Sequence, residues 1–302
     1  MTSIREFLSV FFSQRAASRL AAGVLAGLAL AGPAAQRAGA EVDSEHMFGF
    51  TEGSDIGAVR QLEAEVEEVA RWGREGGTYS AFSSTLNLKY PITDYFRIAG
   101  GLTVTRFDSY GVTGVDDINA FAFDRFTAEF RWRPLDRETW PVGLTFVAAP
   151  FYGFVDDVSG AQASAFGATL IAIADRELIH DKLYGALNLV WQFQRAQPYA
   201  TQTIEDASLL GFAASFSTRI ADWLYLGGEA RYLRAFDGMA LNTLAGQAFY
   251  VGPNFYLPFA KGMSLSGGWN IQAWGQSSGA ASNIDLTNFE SQVFKVRFSI
   301  DL

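Results

Sequence analysis

The feature that most constrains this chain is a two-residue apolar period, repeated along residues 60–302 in segments that are long for strands. In the last segment Phe294, Val296, Phe298, Ile300 and Leu302 alternate with Lys295, Arg297, Ser299 and Asp301. Leu183, Gly185, Leu187, Leu189, Trp191 and Phe193 alternate with Tyr184, Ala186, Asn188, Val190, Gln192 and Gln194. Phe126, Ala128, Phe130 and Trp132 alternate with Arg125, Thr127, Glu129, Arg131 and Arg133, and the pattern returns over 140–149, 248–257 and 263–272. Such alternation lies on one face of a strand but runs around all sides of a helix. Residues 82–90, 96–106, 162–174, 208–218 and 224–234 fit strands less regularly. Residues 60–72 suit a helix by composition. Leu62, Ala64 and Val66 nevertheless alternate with Glu63, Glu65 and Glu67, so we take them as the first strand.

About twelve segments result, each of roughly ten residues, the length that crosses a bilayer at barrel tilt. Globular strands average only about 5–6 residues. Beyond residue 40 no apolar run is long enough for a spanning helix. In hydrocarbon each unpaired backbone group costs several kcal/mol, so a chain without such a helix can cross only as a closed sheet. The expected fold is all-β: a closed antiparallel up-and-down transmembrane β-barrel of about 12 strands over residues 60–302. A soluble barrel with an apolar interior is the competing fold, and segment length weighs against it.

The connections support the same expectation. Tight turns at 91–94, 133–138, 175–181, 220–222 and 258–262 alternate with longer Gly-, Ser- and Asp-rich loops at 108–118, 155–162, 195–207, 236–246 and 275–287. Outer-membrane barrels have short turns on the periplasmic side and long loops outside. Tyr90, Tyr95, Phe96, Trp132, Trp140, Trp223 and Phe298 fall near segment ends, where interfacial aromatic girdles are expected.

Residues 1–40 read as a cleaved Sec-type signal peptide. Arg5, Arg15 and Arg19 form a basic region, Leu20 to Gly32 is apolar, and Ala38-Gly39-Ala40 offers small residues for cleavage. Residues 41–59 follow as a periplasmic or lumenal leader. The expected location is the outer membrane. Totals of 23 basic and 32 acidic residues, less Arg5, Arg15, Arg19, Arg37 and Glu6, leave 19 and 31, a net charge of −12. That sign argues against a nucleic-acid partner.

Chemistry is sparsely provided. The chain has no cysteine and two histidines, His46 and His180. Thiolate nucleophiles and disulfides are excluded, and His-based acid–base or metal constellations have little material. We expect no enzyme activity and no cofactor. The loop acids Asp108, Asp116, Asp117, Asp156, Asp157, Glu205, Asp206, Asp237 and Asp285 could bridge divalent cations to lipopolysaccharide, but suit a solvated loop surface better.

The polar face is more informative. Glu63, Glu65 and Glu67 on the first strand and Lys295 and Arg297 on the last would face inward and meet across the seam. Arg97, Arg125, Glu129, Arg131, Arg133, Glu229 and Arg231 would join them, because Arg or Lys facing lipid at mid-depth costs about 2–4 kcal/mol. These charges would either line a water path for small solutes or pair and fill a narrow lumen. The first is the expected function, a passive channel; a non-transporting structural or lipid- or partner-binding barrel is the alternative.

The segment Phe294 to Leu302 resembles the C-terminal signal of proteobacterial outer-membrane β-barrels of the porin-like kind, whose pattern usually ends in Phe or Trp where Leu302 stands here. The resemblance implies recognition by the barrel-assembly machinery through Phe294, Val296, Phe298, Ile300 and Leu302. It also implies contact with outer-membrane lipids and lipopolysaccharide. The run Glu229 to Gly238 resembles a motif of uncharacterised barrels of this type and implies no substrate.

Overall fold

The computed structural model describes residues 43–279 and 282–302. The signal peptide assigned to residues 1–40 lies outside the described residues. Among the described residues the chain forms twelve strands: β1 (Glu63–Trp72), β2 (Thr78–Thr93), β3 (Phe96–Tyr110), β4 (Ile118–Leu135), β5 (Gly143–Val155), β6 (Gln162–Ile179), β7 (Leu183–Pro198), β8 (Glu205–Ala221), β9 (Leu224–Asp237), β10 (Thr243–Ala260), β11 (Met263–Ser277) and β12 (Gln292–Asp301). Each pairs antiparallel with its sequence neighbours, and β1 pairs with β12 to close the barrel. The closing ladder runs unbroken from Glu63 opposite Asp301 to Trp72 opposite Gln292. Closure leaves no unpaired edge, which hydrocarbon would penalise.

The alternation sets the two faces. Phe126, Phe130, Leu189 and Phe212 project outward and stay exposed, whereas Thr105, Arg131, Thr145, Ser217 and Asn270 point inward and are fully buried. A ring of outward aromatics (Tyr95, Trp132, Trp140, Trp223) marks the end of the short turns, so that end faces the periplasm. No helix among the described residues is long and apolar enough to cross a membrane.

Most strands are longer than the sequence pattern suggested. β6 reaches Ile179 and β4 reaches Leu135, so Asp175 and Arg133 belong to strands rather than turns. At the opposite end Arg195 and Asp206, expected in a loop, extend β7 and β8 and pair with each other. The connections there shrink to 111–117, 156–161, 199–204 and 238–242, with 278–291 the longest. Gly-, Ser- and Asp-rich sequence reads as loop, but continued ladder bonding lets such strands stand above the membrane. Pro150 has no N–H to give, and the β4–β5 ladder skips from Thr127 opposite Phe151 to Phe130 opposite Ala148.

Candidate functional site: the occupied lumen

The periplasmic half of the lumen is filled by residues 43–56, which run inside the wall, and residues 57–61 lead from them to β1. Two apolar side chains anchor the segment. Met47 and Phe48 are fully buried against Tyr184, Ala186, Tyr225 and Tyr256. Tyr225 lies between the other two tyrosines, with ring centroids 6.1 Å from Tyr184 and 5.7 Å from Tyr256. At Gly49 the segment crosses β11 so closely that a Cβ would stand 3.0 Å from the Cα of Gly268 and 2.8 Å from the Glu229 carboxylate. Only glycine leaves room for that crossing.

Charge holds the rest. The Glu45 carboxylate receives both terminal nitrogens of Arg97 and the ammonium of Lys89 at 3.0 Å. Arg97 also pairs with Glu129 at 2.7 Å. Arg131 donates to Glu52 at 2.8 Å and to the Gly53 carbonyl at 2.5 Å. Arg297 donates to the Phe48 carbonyl at 2.8 Å. Glu229 accepts the Phe50 and Thr51 amides at 2.9 and 3.1 Å. Asp175 accepts the Ser54 hydroxyl at 2.5 Å, and Asn188 accepts the Glu52 amide at 2.8 Å. Arg133 and Arg137 flank Asp55 at 3.3 and 2.9 Å. The backbone of 43–56 has no sheet partner of its own, so these wall side chains take up its amides and carbonyls.

The segment's own ionisable groups respond to this setting. Burial alone would raise the Glu45 carboxyl, but Arg97, Lys89 and Arg131 hold it well below its ordinary value. Burial would lower the His46 imidazole, but Asp43 and Glu63 hold it well above. His46 is bonded through Nδ1 to Asp43, and its Nε2 stands 3.0 Å from both the Glu65 carboxylate and the Lys89 ammonium. Burial pushes the Asp55 carboxyl up to about 6, against the Arg137 guanidinium. His46, Glu63 and Glu65 bring three ligating atoms together, but the Lys89 ammonium stands 2.7 Å from Glu65 and 3.2 Å from Glu63. A fixed ammonium occupies the place a metal ion would take, so the group does not fit a metal site.

Each sequence-derived lumen charge can now be placed. Glu67 pairs with Lys295 across the β1–β12 seam at 3.2 Å. Glu63 and Glu65 turn instead to Lys89 and His46, and Arg297 to the segment's carbonyls. Arg125 pairs with Asp124 at 3.0 Å and covers the Phe151 ring. Arg231 donates to Asn270 at 2.8 Å and lies 3.9 Å over the Phe50 ring. The residues missed are Lys89, Asp175, Asn188 and Asn270 on the wall and Asp43, Glu45, His46, Glu52 and Asp55 on the segment. Asn188 stood on the polar side of its alternation, a signal for facing inward but not for what it would meet.

The other half of the lumen is narrowed by different means. Tyr79, Ala81, Phe107, Val112 and Val155 form an apolar cluster that includes the β3–β4 loop, with Val158 of the β5–β6 loop packed on it. Residues 285–290 dip inward: Phe289 packs with Ala248, Tyr250 and Val293, and Glu290 pairs with Arg74 at 2.8 Å. Between segment and wall a polar cavity of about 160 Å3 remains, bordered by Glu52, Glu67, Asn87, Thr127, Glu129 and Arg297.

Known structures share this architecture. The barrel is similar to an outer membrane channel of Pseudomonas putida F1, COG4313, with 11% identity over 82% of this chain and 98% of that one, at a TM-score of 0.57. It also matches the NanC porin, with 9% identity over 79% of this chain and 100% of that one (TM-score 0.45). The translocator domain of the autotransporter NalP from Neisseria meningitidis matches with 12% identity over 82% and 89%, at a TM-score of 0.48. At such identities the likeness is one of fold. No curated protein matches the chain. A family described as a family of unknown function (DUF6662) matches residues 40–302.

Proposed function

The chain belongs to that family of unknown function and forms an outer-membrane β-barrel, and we propose that it is a passive channel for small solutes held shut by residues 43–56. One observation carries the reading. The periplasmic half of the lumen is filled by residues 43–56, held through polar contacts and the burial of Met47 and Phe48. Withdrawal of that stretch would leave Arg97, Arg131, Glu229, Lys295 and Arg297 lining a water path, where they would set solute preference. The similar Pseudomonas putida F1 structure is itself described as an outer membrane channel, which is consistent with this reading. Export through a Sec-type signal and insertion by the barrel-assembly machinery belong to the same proposal. So does the absence of catalysis, since both nitrogens of His46 are engaged by carboxylates.

A non-transporting barrel remains the second reading, and the density of buried ion pairs favours it. Conductance in planar bilayers separates the two. Protein lacking residues 41–61 should give discrete steps where the full chain is mostly closed. A barrel that shows no step above the protein-free control in several salts, with the segment removed, would reject the channel.

A further inference from the structure

On the outer wall, we infer that strands β4–β9 hold one anionic acylated lipid of the outer leaflet that carries a phosphate monoester, its chain in an apolar groove and its phosphate on Arg234. The groove has a volume of about 600 Å3, within the range of about 300–1,000 Å3 that small-molecule sites span. Phe130, Phe146, Leu170, Trp191 and Leu210 border it, and Ala148 and Ala172 leave it deep. Five of its residues follow one cross-strand row, in which Phe130 pairs with Ala148, Ala148 with Leu170, Leu170 with Trp191 and Trp191 with Leu210, and Arg234, opposite Leu210, continues the row beyond the groove. Because barrel strands tilt by about 35–45°, such a row climbs through the membrane. Phe130 stands five residues before the periplasmic end of β4 at Leu135, and Arg234 ten residues beyond the periplasmic start of β9 at Leu224. The row therefore rises from the inner girdle toward the outer surface.

Two donors along it lack acceptors. The Nε1 of Trp191 is shielded from solvent and has no hydrogen-bond partner, and neither has the Nε of Arg234. Arg234 lies over the Phe236 ring at 5.3 Å, and no carboxylate among the described residues pairs with it. The other outward arginines near that level are engaged: Arg195 by Asp206 at 2.7 Å, Arg106 by Asn119 at 2.8 Å. An unmet donor in an apolar surround is costly, and phosphate and ester oxygens would satisfy both. The β9–β10 loop folds back over the wall at the upper end. Ser208 donates to the Gly238 carbonyl at 2.6 Å and accepts the Leu241 amide at 3.2 Å, which sets Leu241 at the groove.

The probe is bisphosphorylated lipid A, titrated onto the purified full-length barrel in mild detergent and read by native mass spectrometry. One copy should be retained, phosphatidylcholine should not replace it, and inorganic phosphate should not displace it. Arg234→Gln should weaken retention about tenfold. Trp191→Phe, which keeps the ring, should weaken it less, and Ala172→Phe should block the groove. Heat-modifiable gel mobility reports whether each variant is folded. Equal retention by folded Arg234→Gln or Ala172→Phe, equal binding of phosphatidylcholine, or a dimer carrying no lipid would each overturn the assignment. Conductance plays no part, so this result and that of the channel experiment stand apart.

Discussion

The two halves of the lumen are narrowed by opposite chemistry. On the periplasmic side the segment 43–56 is fastened by Arg97, Arg131, Arg297, Lys89 and Glu229 through its carboxylates, amides and carbonyls. On the outer side apolar packing of Phe107, Val112 and Val155 leads, with Glu290 paired to Arg74 beside it. Buried ion pairs lose as much to desolvation as they gain, so they position a segment more than they stabilise it. Apolar burial is the opposite, stabilising without direction. A closure made of charges can be released by changing charge, whereas one made of side-chain volume yields only to a change of volume.

The largest expected effect comes from breaking the charged closure. Arg97→Ala takes the two-pronged partner from Glu45, leaving it Lys89 and Arg131, and removes the Glu129 pair; it should weaken retention of the segment by about 3 kcal/mol. The chain has no cysteine, so Ala58→Cys can carry a single spin label. Its spectrum should become more mobile in Arg97→Ala than in the unmutated background, and an unchanged spectrum would show that the charges do not hold the segment. Next comes Phe107→Ala, which opens a cavity in the outer cluster at a cost of about 3 kcal/mol. It should lower the unfolding temperature of the barrel while the spectrum of the label at residue 58 stays as it was; a more mobile label would mean that the halves are one unit.

The smallest effect sharpens the contrast through pH. Glu45 is held below its ordinary 4.5, so its contribution is present above that value and is lost as pH falls through the lowered one. His46 is held above its ordinary 6.5, so its contribution is complete below that value and fades as pH rises through the raised one. Asp43, Glu63, Glu65 and Lys89 surround His46 and share in the change. Label mobility should be lowest in the neutral range and rise toward both extremes, while the outer loops respond little. A flat profile would assign retention to Met47 and Phe48 instead.

Much of the wall was legible before any coordinate. Phe294 to Asp301 reads as a strand residue by residue, and the two-sided pattern of β7 names the outward Leu187 and the inward Asn188 correctly. The strand ends were not legible: Arg195 and Asp206 carry loop composition but extend the sheet by pairing with each other. The site was half legible. Glu67 and Lys295 meet across the seam as expected, but Glu65 faces Lys89, a residue whose inward direction is periodic but whose partners are not.

What the sequence alone determined is the wall: strand number, which side chains face lipid, and the joining of first strand to last. Those follow from a period of two acting locally, under a solvent that tolerates no open backbone. The tertiary structure decided what occupies the axis. Residues 43–61 carry no periodicity, and their contacts reach across the chain, as from Phe50 to Glu229, 179 residues apart. Such pairings depend on the barrel's closed cross-section, which brings twelve strands to one centre and exists only once the last strand has met the first.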